Sequence, residues 1–214
     1  MKSRVRPITG GGGHKLHGLG WAIGFDLSLV APAAVALPLD WRPGDWTRVC
    51  AWLLKTKTPE NKDDLAGQAR RSDEIARWAG AVVGECSSLG IRPACFVENY
   101  GFNKNNANAS RIQESGGAVK LEVWRRWGVT LTTVTASQGR KLFLGKNPSS
   151  DPKTHVQDAL FNRCKAPKTW DENQADAFVV VNFGLSELGG MALITAPAAA
   201  RKIAAFARAR RIRA

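Results

Sequence analysis

The sequence has few acidic residues for its length. Its 214 residues include 18 Asp and Glu against 31 Lys and Arg, which gives a formal net charge of +13. A chain with this balance is attracted to polyanions, and nucleic acid is the usual one. A basic protein without a dedicated partner is the alternative interpretation. Because acids are scarce, a carboxylate inside an apolar segment is unusual here, and burying one is costly unless it is paired.

Long apolar runs and clustered cysteines are also missing. No stretch of about 18 uncharged apolar residues occurs, which excludes a transmembrane helix. The basic N-terminus is not followed by the apolar core of a secretory signal, so we expect a cytoplasmic protein. The cysteines show no Cys-x-x-Cys pair and no His at metal-ligand spacing, and we interpret them as reduced core thiols. They are Cys50, Cys86, Cys95 and Cys164.

Composition divides the chain into three parts. Residues 1–18 contain four consecutive glycines and several basic residues without an apolar period, which predicts a flexible basic arm. Residues 19–190 alternate apolar segments with turn residues, which predicts one folded domain. Residues 191–214 end in an Ala/Arg-rich stretch without acids, which predicts a basic helical extension, either solvated or in contact with phosphates.

Apolar periodicity predicts an α/β fold. An antiparallel meander of three extended segments comes first, and helices then alternate with two further strands. This order predicts a mixed five-stranded sheet with helices on both faces. The extended segments are predicted at 19–28, 33–39, 46–55, 93–98 and 129–134, the helices at 65–89, 106–127, 152–164 and 170–185, and a polar basic loop at 137–153.

Three carboxylates lie in segments that are otherwise apolar. Asp26 and Glu98 each end an apolar strand, and Asp176 lies within the run Ala-Asp-Ala-Phe-Val-Val-Val. A single strand-end Asp can simply cap the next turn. Three acids that converge repel one another and need a cation, and oxygen-only ligands select Mg²⁺ or Mn²⁺. Two such ions about 4 Å apart support phosphodiester hydrolysis, so the pattern predicts a nuclease.

Two polar residues lie one helical turn before Asp176. Glu172 is four residues before it and Asn173 is three before it, so both spacings favour the same helix face. Either residue could be a fourth ligand or hold a metal-bound water. Asp171 is less well placed and is predicted to cap the helix.

Short motifs around these acids occur in a fixed order along the chain. They are Gly24-Phe25-Asp26-Leu27-Ser28, the segment 97–105 (VENYGFNKN), the glycine-containing helix 107–117, the basic loop 140–145 with Lys153-x-x-Val156, and Gln174-Ala175-Asp176-Ala177. Together they resemble the RuvC-type Holliday junction resolvases, which have an RNase H-like fold. The resemblance covers roughly residues 21–183.

The resemblance implies a metal centre. Asp26, Glu98 and Asp176 match the family's metal-binding acids, so Mg²⁺ is the expected cofactor and Mn²⁺ the expected substitute. The family usually has a fourth acid where this chain has Asn173. The fourth ligand is therefore either the side-chain carbonyl oxygen of Asn173 or the carboxylate of Glu172. The negative charge of a carboxylate favours Glu172, because divalent cations bind charged ligands more strongly.

The resemblance also implies contacts to branched DNA. Family members carry an aromatic residue just after the catalytic Glu that stacks on bases, and here an aromatic residue flanks that position on each side. Basic residues of the following loop and helix match positions near the scissile phosphate. The DNA-binding residues expected on this basis are Tyr100, Phe102, Lys104, Arg140, Lys141, Lys146 and Lys153.

A two-fold dimer is implied as well, through the helix at 106–127. Gly116-Gly117 permits close helix approach, and Val119, Val123 and Trp127 form an apolar stripe. The same stripe could equally face the sheet of its own domain.

The function implied is a Mg²⁺-dependent endonuclease that resolves Holliday junctions or other branched DNA in recombination and repair. The basic ends and relaxed motifs are typical of a phage or prophage version acting in the bacterial host cytoplasm. Another RNase H-like nuclease, acting on hybrids or in DNA packaging, is one alternative. A non-catalytic protein that binds branched DNA is the other.

Overall fold

The computed structural model describes residues 20–59, 64–87, 91–98, 107–146 and 151–187. The predicted arm at 1–18, the extension at 191–214, and Tyr100, Phe102 and Lys104 lie outside these ranges, and the domain limits stay predictions. The strands are β1 (Trp21–Asp26), β2 (Ala33–Pro38), β3 (Cys50–Leu53), β4 (Ala94–Glu98) and β5 (Leu131–Val134). The helices are α1 (Leu65–Cys86), α2 (Ala107–Trp127), α3 (Ala136–Leu144), α4 (Pro152–Cys164) and α5 (Glu172–Glu187).

The strands form the mixed five-stranded sheet that the sequence predicts, in the order β3-β2-β1-β4-β5. β2 pairs antiparallel with β1 and β3, whereas β4 pairs parallel with β1 and β5. Phe25 of β1 lies opposite Val97 of β4. The next residues, Asp26 and Glu98, therefore end two neighbouring strands at the same edge of the sheet.

Helices cover both faces of the sheet. α1 and α2 close an apolar core on one face, and α3, α4 and α5 close a second core on the other. β1 lies in the middle of the sheet, and all six of its residues are buried. Burial on both faces explains why its sequence is a continuous apolar run rather than an alternating one. In the described ranges, no helix combines the length and hydropathy needed to cross a membrane.

Two predicted element assignments are wrong. The predicted loop at 137–153 contains α3, which ends at Gly145 in the left-handed conformation that favours glycine, with φ of 84°. The predicted strand at 46–55 begins instead with a short 3₁₀ helix, Trp46–Arg48, and its β structure is limited to β3.

The apolar stripe predicted on α2 packs inside its own domain. Val119 and Val123 are fully buried in the core beneath α1. The indole nitrogen of Trp127 donates to the carbonyl oxygen of Gly80 at 2.7 Å. This stripe is therefore used within the chain and leaves a different face of α2 exposed.

Candidate active site

A glycine in the central strand brings α5 directly against the sheet. A Cβ atom added at Gly24 would meet the carbonyl oxygen of Ala177 and lie 2.6 Å from the backbone nitrogen of Val181. Because no side chain separates the two backbones, α5 packs directly on β1 two residues before Asp26. Asp176 is thereby held beside Asp26, and both residues are only 2% exposed.

Lys153 links these two carboxylates to α4. Its ammonium nitrogen lies 2.9 Å from Oδ2 of Asp26 and 3.7 Å from Oδ2 of Asp176. It also donates to Oδ1 of Asn173 at 2.6 Å. A cation in this position offsets part of the cost of burying two acids. Three elements, β1, α4 and α5, thus supply one polar cluster.

Arg140 of α3 completes the cluster from the other side. Its Nε and Nη2 atoms donate to the two carboxylate oxygens of Asp176, at 3.3 and 2.7 Å. This bidentate geometry fixes the carboxylate plane. A narrow cleft lies beside the pair and is also bordered by Glu98 and Thr135. Glu98 and Asp176 therefore both border this cleft, while Asp26 lies buried next to Asp176.

The three acids affect one another's protonation through electrostatic repulsion. Burial and the negative charges of Asp26 and Asp176 together raise the pKa of Glu98 to about 8. Burial also raises the pKa of Asp176, although the bond from Arg140 opposes this. Burial lowers the pKa of Lys153, but the nearby carboxylates outweigh it and the net shift is upward. Strongly perturbed acids gathered in a cleft are typical of functional sites.

The raised pKa of Glu98 predicts how stability depends on pH. The ordinary pKa is 4.5, so between about pH 4.5 and 8 the folded state holds the Glu98 proton more tightly than the unfolded state, and this group's contribution to stability falls as pH rises. We expect Glu98→Gln to raise the free energy of unfolding by at least about 2 kcal/mol at pH 8.5 and to change it little at pH 4.5.

Denaturant unfolding in EDTA at both pH values measures this effect. Glu114→Gln, exposed on α2, is the matched control and should differ little from the parent at either pH. A Glu98→Gln protein no more stable than the parent at pH 8.5 contradicts the electrostatic description of the site.

The remaining predicted residues are placed as follows. Glu172 is exposed at the first turn of α5, whereas Asn173 is 8% exposed and contacts Lys153. The preference for Glu172 over Asn173 is therefore not supported. At the first turn of α5, Asn173 faces the carboxylate cluster and Glu172 faces solvent. Lys141 is exposed on α3, and Lys146 is exposed two residues after this helix ends.

The capping interactions at the start of α5 determine which of these two residues faces the cluster. The side chain of Asp171 accepts from the backbone nitrogen of Gln174 at 2.8 Å, and the side chain of Gln174 accepts from the backbone nitrogen of Asp171 at 3.0 Å. This reciprocal pair is a capping box. The predicted capping role of Asp171 is confirmed, and the pair was the sequence signal that could have distinguished Asn173 from Glu172.

The donor chemistry of the cluster fits a hard divalent cation. Asp26, Glu98, Asp176 and Asn173 offer oxygen atoms only, and the mutual repulsion of the three acids favours a multivalent cation. As the side chains stand, no group of three or more His, Cys, Asp and Glu in the described ranges has the spacing of a formed metal site. Lys153 and Arg140 instead hold the carboxylate oxygens, so a bound metal requires side-chain rearrangement.

Comparisons with known proteins agree with the fold. No protein-family model matches the chain, and no curated protein matches it. Among solved structures, Thermus thermophilus RuvC is similar with a TM-score of 0.55 and 16% identity, over 79% of this chain and 96% of that one. T. thermophilus RuvC in complex with a Holliday junction substrate is similar with a TM-score of 0.53 and 16% identity, over the same shares. The chain thus has a RuvC-like fold, a mixed five-stranded sheet with helices on both faces, which is consistent with the RNase H-like type that the sequence motifs predict.

Proposed function

We propose that this protein is a divalent-metal-dependent endonuclease that cuts Holliday junctions or other branched DNA by phosphodiester hydrolysis. The observation that carries the proposal is the meeting of Asp26, Glu98 and Asp176, from three separate elements, at one edge of the sheet beside a cleft. A RuvC-like fold supports it, because a similar solved structure is described as RuvC with a Holliday junction substrate.

In this proposal the acids and Asn173 hold Mg²⁺, or Mn²⁺ in its place. The bound metal supplies Lewis-acid stabilisation of the phosphate and lowers the pKa of a water molecule. Lys153 and Arg140 lie against the same carboxylates and can turn to the scissile phosphate, whose charge both bind well. Arg140 suits this role because its planar guanidinium can make two parallel bonds to phosphate oxygens. Lys141 and Lys146 extend the basic surface beyond the cleft.

A cleavage assay on synthetic DNA tests the proposal. The protein is incubated with a mobile four-way junction, a flap, a linear duplex and an RNA/DNA hybrid, each with Mg²⁺, Mn²⁺ or EDTA, and cut sites are mapped at nucleotide resolution. We expect metal-dependent cuts at symmetric positions of the junction and little cutting of the duplex. Cleavage confined to the RNA strand of the hybrid overturns the junction assignment.

A non-catalytic protein that binds branched DNA is the second candidate. The observation that favours it is Asn173, a neutral amide inside the cluster where the RuvC-type motif usually has an acid. Fewer negative charges weaken divalent-cation binding. Junction binding without cleavage in either metal would support this candidate.

We also propose that the protein acts as a homodimer through α2. Gly117, Leu121 and Trp124 lie at i, i+4 and i+7 on the outer face of this helix. Leu121 is 45% exposed and Trp124 is 59% exposed. A Cβ added at Gly117 would meet nothing within 4 Å, so a second helix can approach closely there. An isologous contact between two copies of this stripe would bury it.

Trp124→Glu tests the dimer. We expect the parent to sediment as a dimer and the variant as a monomer, because a buried carboxylate pair at a two-fold contact is strongly unfavourable. Leu39→Glu, which alters a comparably exposed apolar residue elsewhere, should leave the dimer intact. A parent that sediments as a monomer at micromolar concentrations, or a dimeric Trp124→Glu protein, contradicts this assignment.

A further inference from the structure

The ammonium group of Lys153 lies where three side-chain oxygens converge. Its Nζ atom is 2.9 Å from Oδ2 of Asp26, 2.6 Å from Oδ1 of Asn173 and 3.7 Å from Oδ2 of Asp176. β1 supplies the first oxygen and α5 supplies the other two, while the lysine comes from α4. Carboxylate and amide oxygens gathered around one point form a cation site, and in this fold a side chain of the same protein fills it.

A divalent metal and this ammonium group compete for the cluster. Magnesium binds carboxylate oxygens at about 2.1 Å, so a metal on Oδ2 of Asp26 would lie within about 5 Å of the present position of Nζ. Two positive charges repel strongly at that distance in a buried site. Burial lowers the pKa of Lys153, but the charges of Asp26 and Asp176 outweigh this effect and raise the pKa overall, so the lysine stays charged.

Lys153 can leave the cluster without a change in the backbone. Its side chain is 30% exposed, and a flexible four-carbon stem carries the ammonium. The start of α4 is fixed independently, because the side chain of Asp151 accepts from the backbone nitrogen of Thr154. Arg140 is held more firmly, since its side chain is 14% exposed and makes two bonds to Asp176. Lys153 is therefore the cation that the cluster releases more easily.

A DNA phosphate offers the released ammonium group another anion. Ammonium groups make strong charge-assisted hydrogen bonds to phosphate oxygens. A phosphate next to the cluster thus lowers the cost of moving Lys153 away from Asp26, and the uncovered carboxylates attract a divalent cation more strongly. By linkage, a metal that displaces Lys153 makes this lysine available to DNA to the same extent.

We propose that Lys153 occupies the cation position of the carboxylate cluster in the DNA-free protein and thereby couples the binding of divalent metal to the binding of DNA. The DNA-free protein holds metal weakly, and a phosphate placed against the cluster completes the metal centre. Lys153 is then an internal competitor of the metal as well as a phosphate contact. The inference rests on the proposed function, because it takes a divalent cation and DNA as the ligands of this cluster.

Mn²⁺ binding to the DNA-free protein tests the competition. Free Mn²⁺ is measured by electron paramagnetic resonance during titration of the parent and of three variants, each of which removes one positive charge. Lys153→Gln removes the competitor, whereas Arg140→Gln removes a charge that also contacts the acids but leaves Lys153 in place. Lys168→Gln is the matched control at an exposed position between α4 and α5. Thermal unfolding of each protein is measured in EDTA and in saturating Mn²⁺.

We expect Lys153→Gln to bind Mn²⁺ at least about tenfold more tightly than the parent, because the affinity of a site is reduced by the fraction of molecules in which it is closed. Arg140→Gln should gain clearly less, and Lys168→Gln should match the parent. Mn²⁺ should also raise the melting temperature of Lys153→Gln more than that of the parent, since stabilisation grows as Kd falls. This second readout applies even where the variant is less stable than the parent in EDTA.

A four-way junction added to the same titration tests the coupling. Mn²⁺ bound by the junction alone is subtracted, so the measurement counts the metal held by the protein and not the product formed. The junction should tighten Mn²⁺ binding to the parent about tenfold and should tighten binding to Lys153→Gln much less. Equal tightening in both proteins overturns the coupling.

The outcomes separate this inference from the proposed function. A Lys153→Gln protein that binds Mn²⁺ no more tightly than the parent overturns the competition, whether or not the parent cuts junctions. Equal gains in Lys153→Gln and Arg140→Gln also overturn it, in favour of a general effect of charge. Tighter binding in Lys153→Gln together with a parent that cuts nothing supports the competition and rejects only the proposed catalysis. Mn²⁺ binding by none of these proteins contradicts both.

Discussion

Replacing Asp26 by Asn is expected to abolish cleavage of a four-way junction while leaving binding intact. Asp26 ends β1, is 2% exposed and accepts a bond from Lys153. The substitution keeps the shape of the side chain but removes a negative charge from the group that we propose as the metal site. We expect the single-turnover cleavage rate to fall about a thousandfold or more, which corresponds to about 4 kcal/mol of transition-state stabilisation.

Binding distinguishes this effect from a general loss of DNA contact. Junction affinity in EDTA should be unchanged or higher, because removing a negative charge near the phosphates cannot weaken their attraction to the protein. Asp158→Asn makes the same chemical change at an exposed site on α4 and should cut at the parental rate. A parent and an Asp26→Asn protein with equal cleavage rates would show that this carboxylate is not catalytic.

The second large expected effect is on stability. Gly24→Ala places a methyl group against the carbonyl oxygen of Ala177 and within 2.6 Å of the Val181 nitrogen. These are backbone atoms of a buried helix and cannot move aside as a flexible side chain can. We expect the free energy of unfolding to fall by about 3 kcal/mol, the upper part of the range for overpacked cores. Displacing α5 also moves Asp176 away from Asp26, so cleavage should fall with stability.

Gly116→Ala is the control for this substitution. An added Cβ at Gly116 meets one atom, Cδ1 of Leu27, at an ordinary distance of 3.9 Å. In a helix interior, alanine is favoured over glycine by up to about 1 kcal/mol. Denaturant unfolding should therefore show Gly116→Ala at or above the stability of the parent. A Gly24→Ala protein as stable as the parent would mean that α5 does not pack on β1 as described.

Much of the fold could be predicted because the apolar pattern of each segment agrees with the way the segments pair in the sheet. β1 and β4 are continuous apolar runs that end in an acid, and parallel neighbours bring such ends together. α4 has its predicted limits, and Pro152 is well suited to the first turn of a helix. The predicted mixed sheet with helices on both faces is the observed one.

The sequence was less informative where a residue serves a tertiary contact. Gly139 obscured α3, since glycine is unfavourable inside a helix. In the fold an added Cβ at Gly139 would lie 3.0 Å from Cγ1 of Val179, so the glycine allows α3 to approach α5. The helix carries Arg140 into the cluster, and a periodicity argument misses it for this reason.

The cationic partners of the acids also depend on packing. Three different helices carry Arg140, Lys153 and Asp176. Nothing in their local sequence predicts which basic side chain pairs with which carboxylate. Arg71 of α1 is buried, although an arginine on an amphipathic helix is usually solvated. Its burial depends on the segment at 54–57, which no local pattern places there.

The most direct test of the central claim is anomalous diffraction from crystals grown or soaked with Mn²⁺. The account predicts a peak within coordination distance of side-chain oxygens of Asp26, Glu98 and Asp176, with the Lys153 ammonium displaced from Asp26. The contradicting result is a fully ordered cluster in saturating Mn²⁺ that shows no anomalous peak among the three acids. In that result Lys153 is still bound to Asp26.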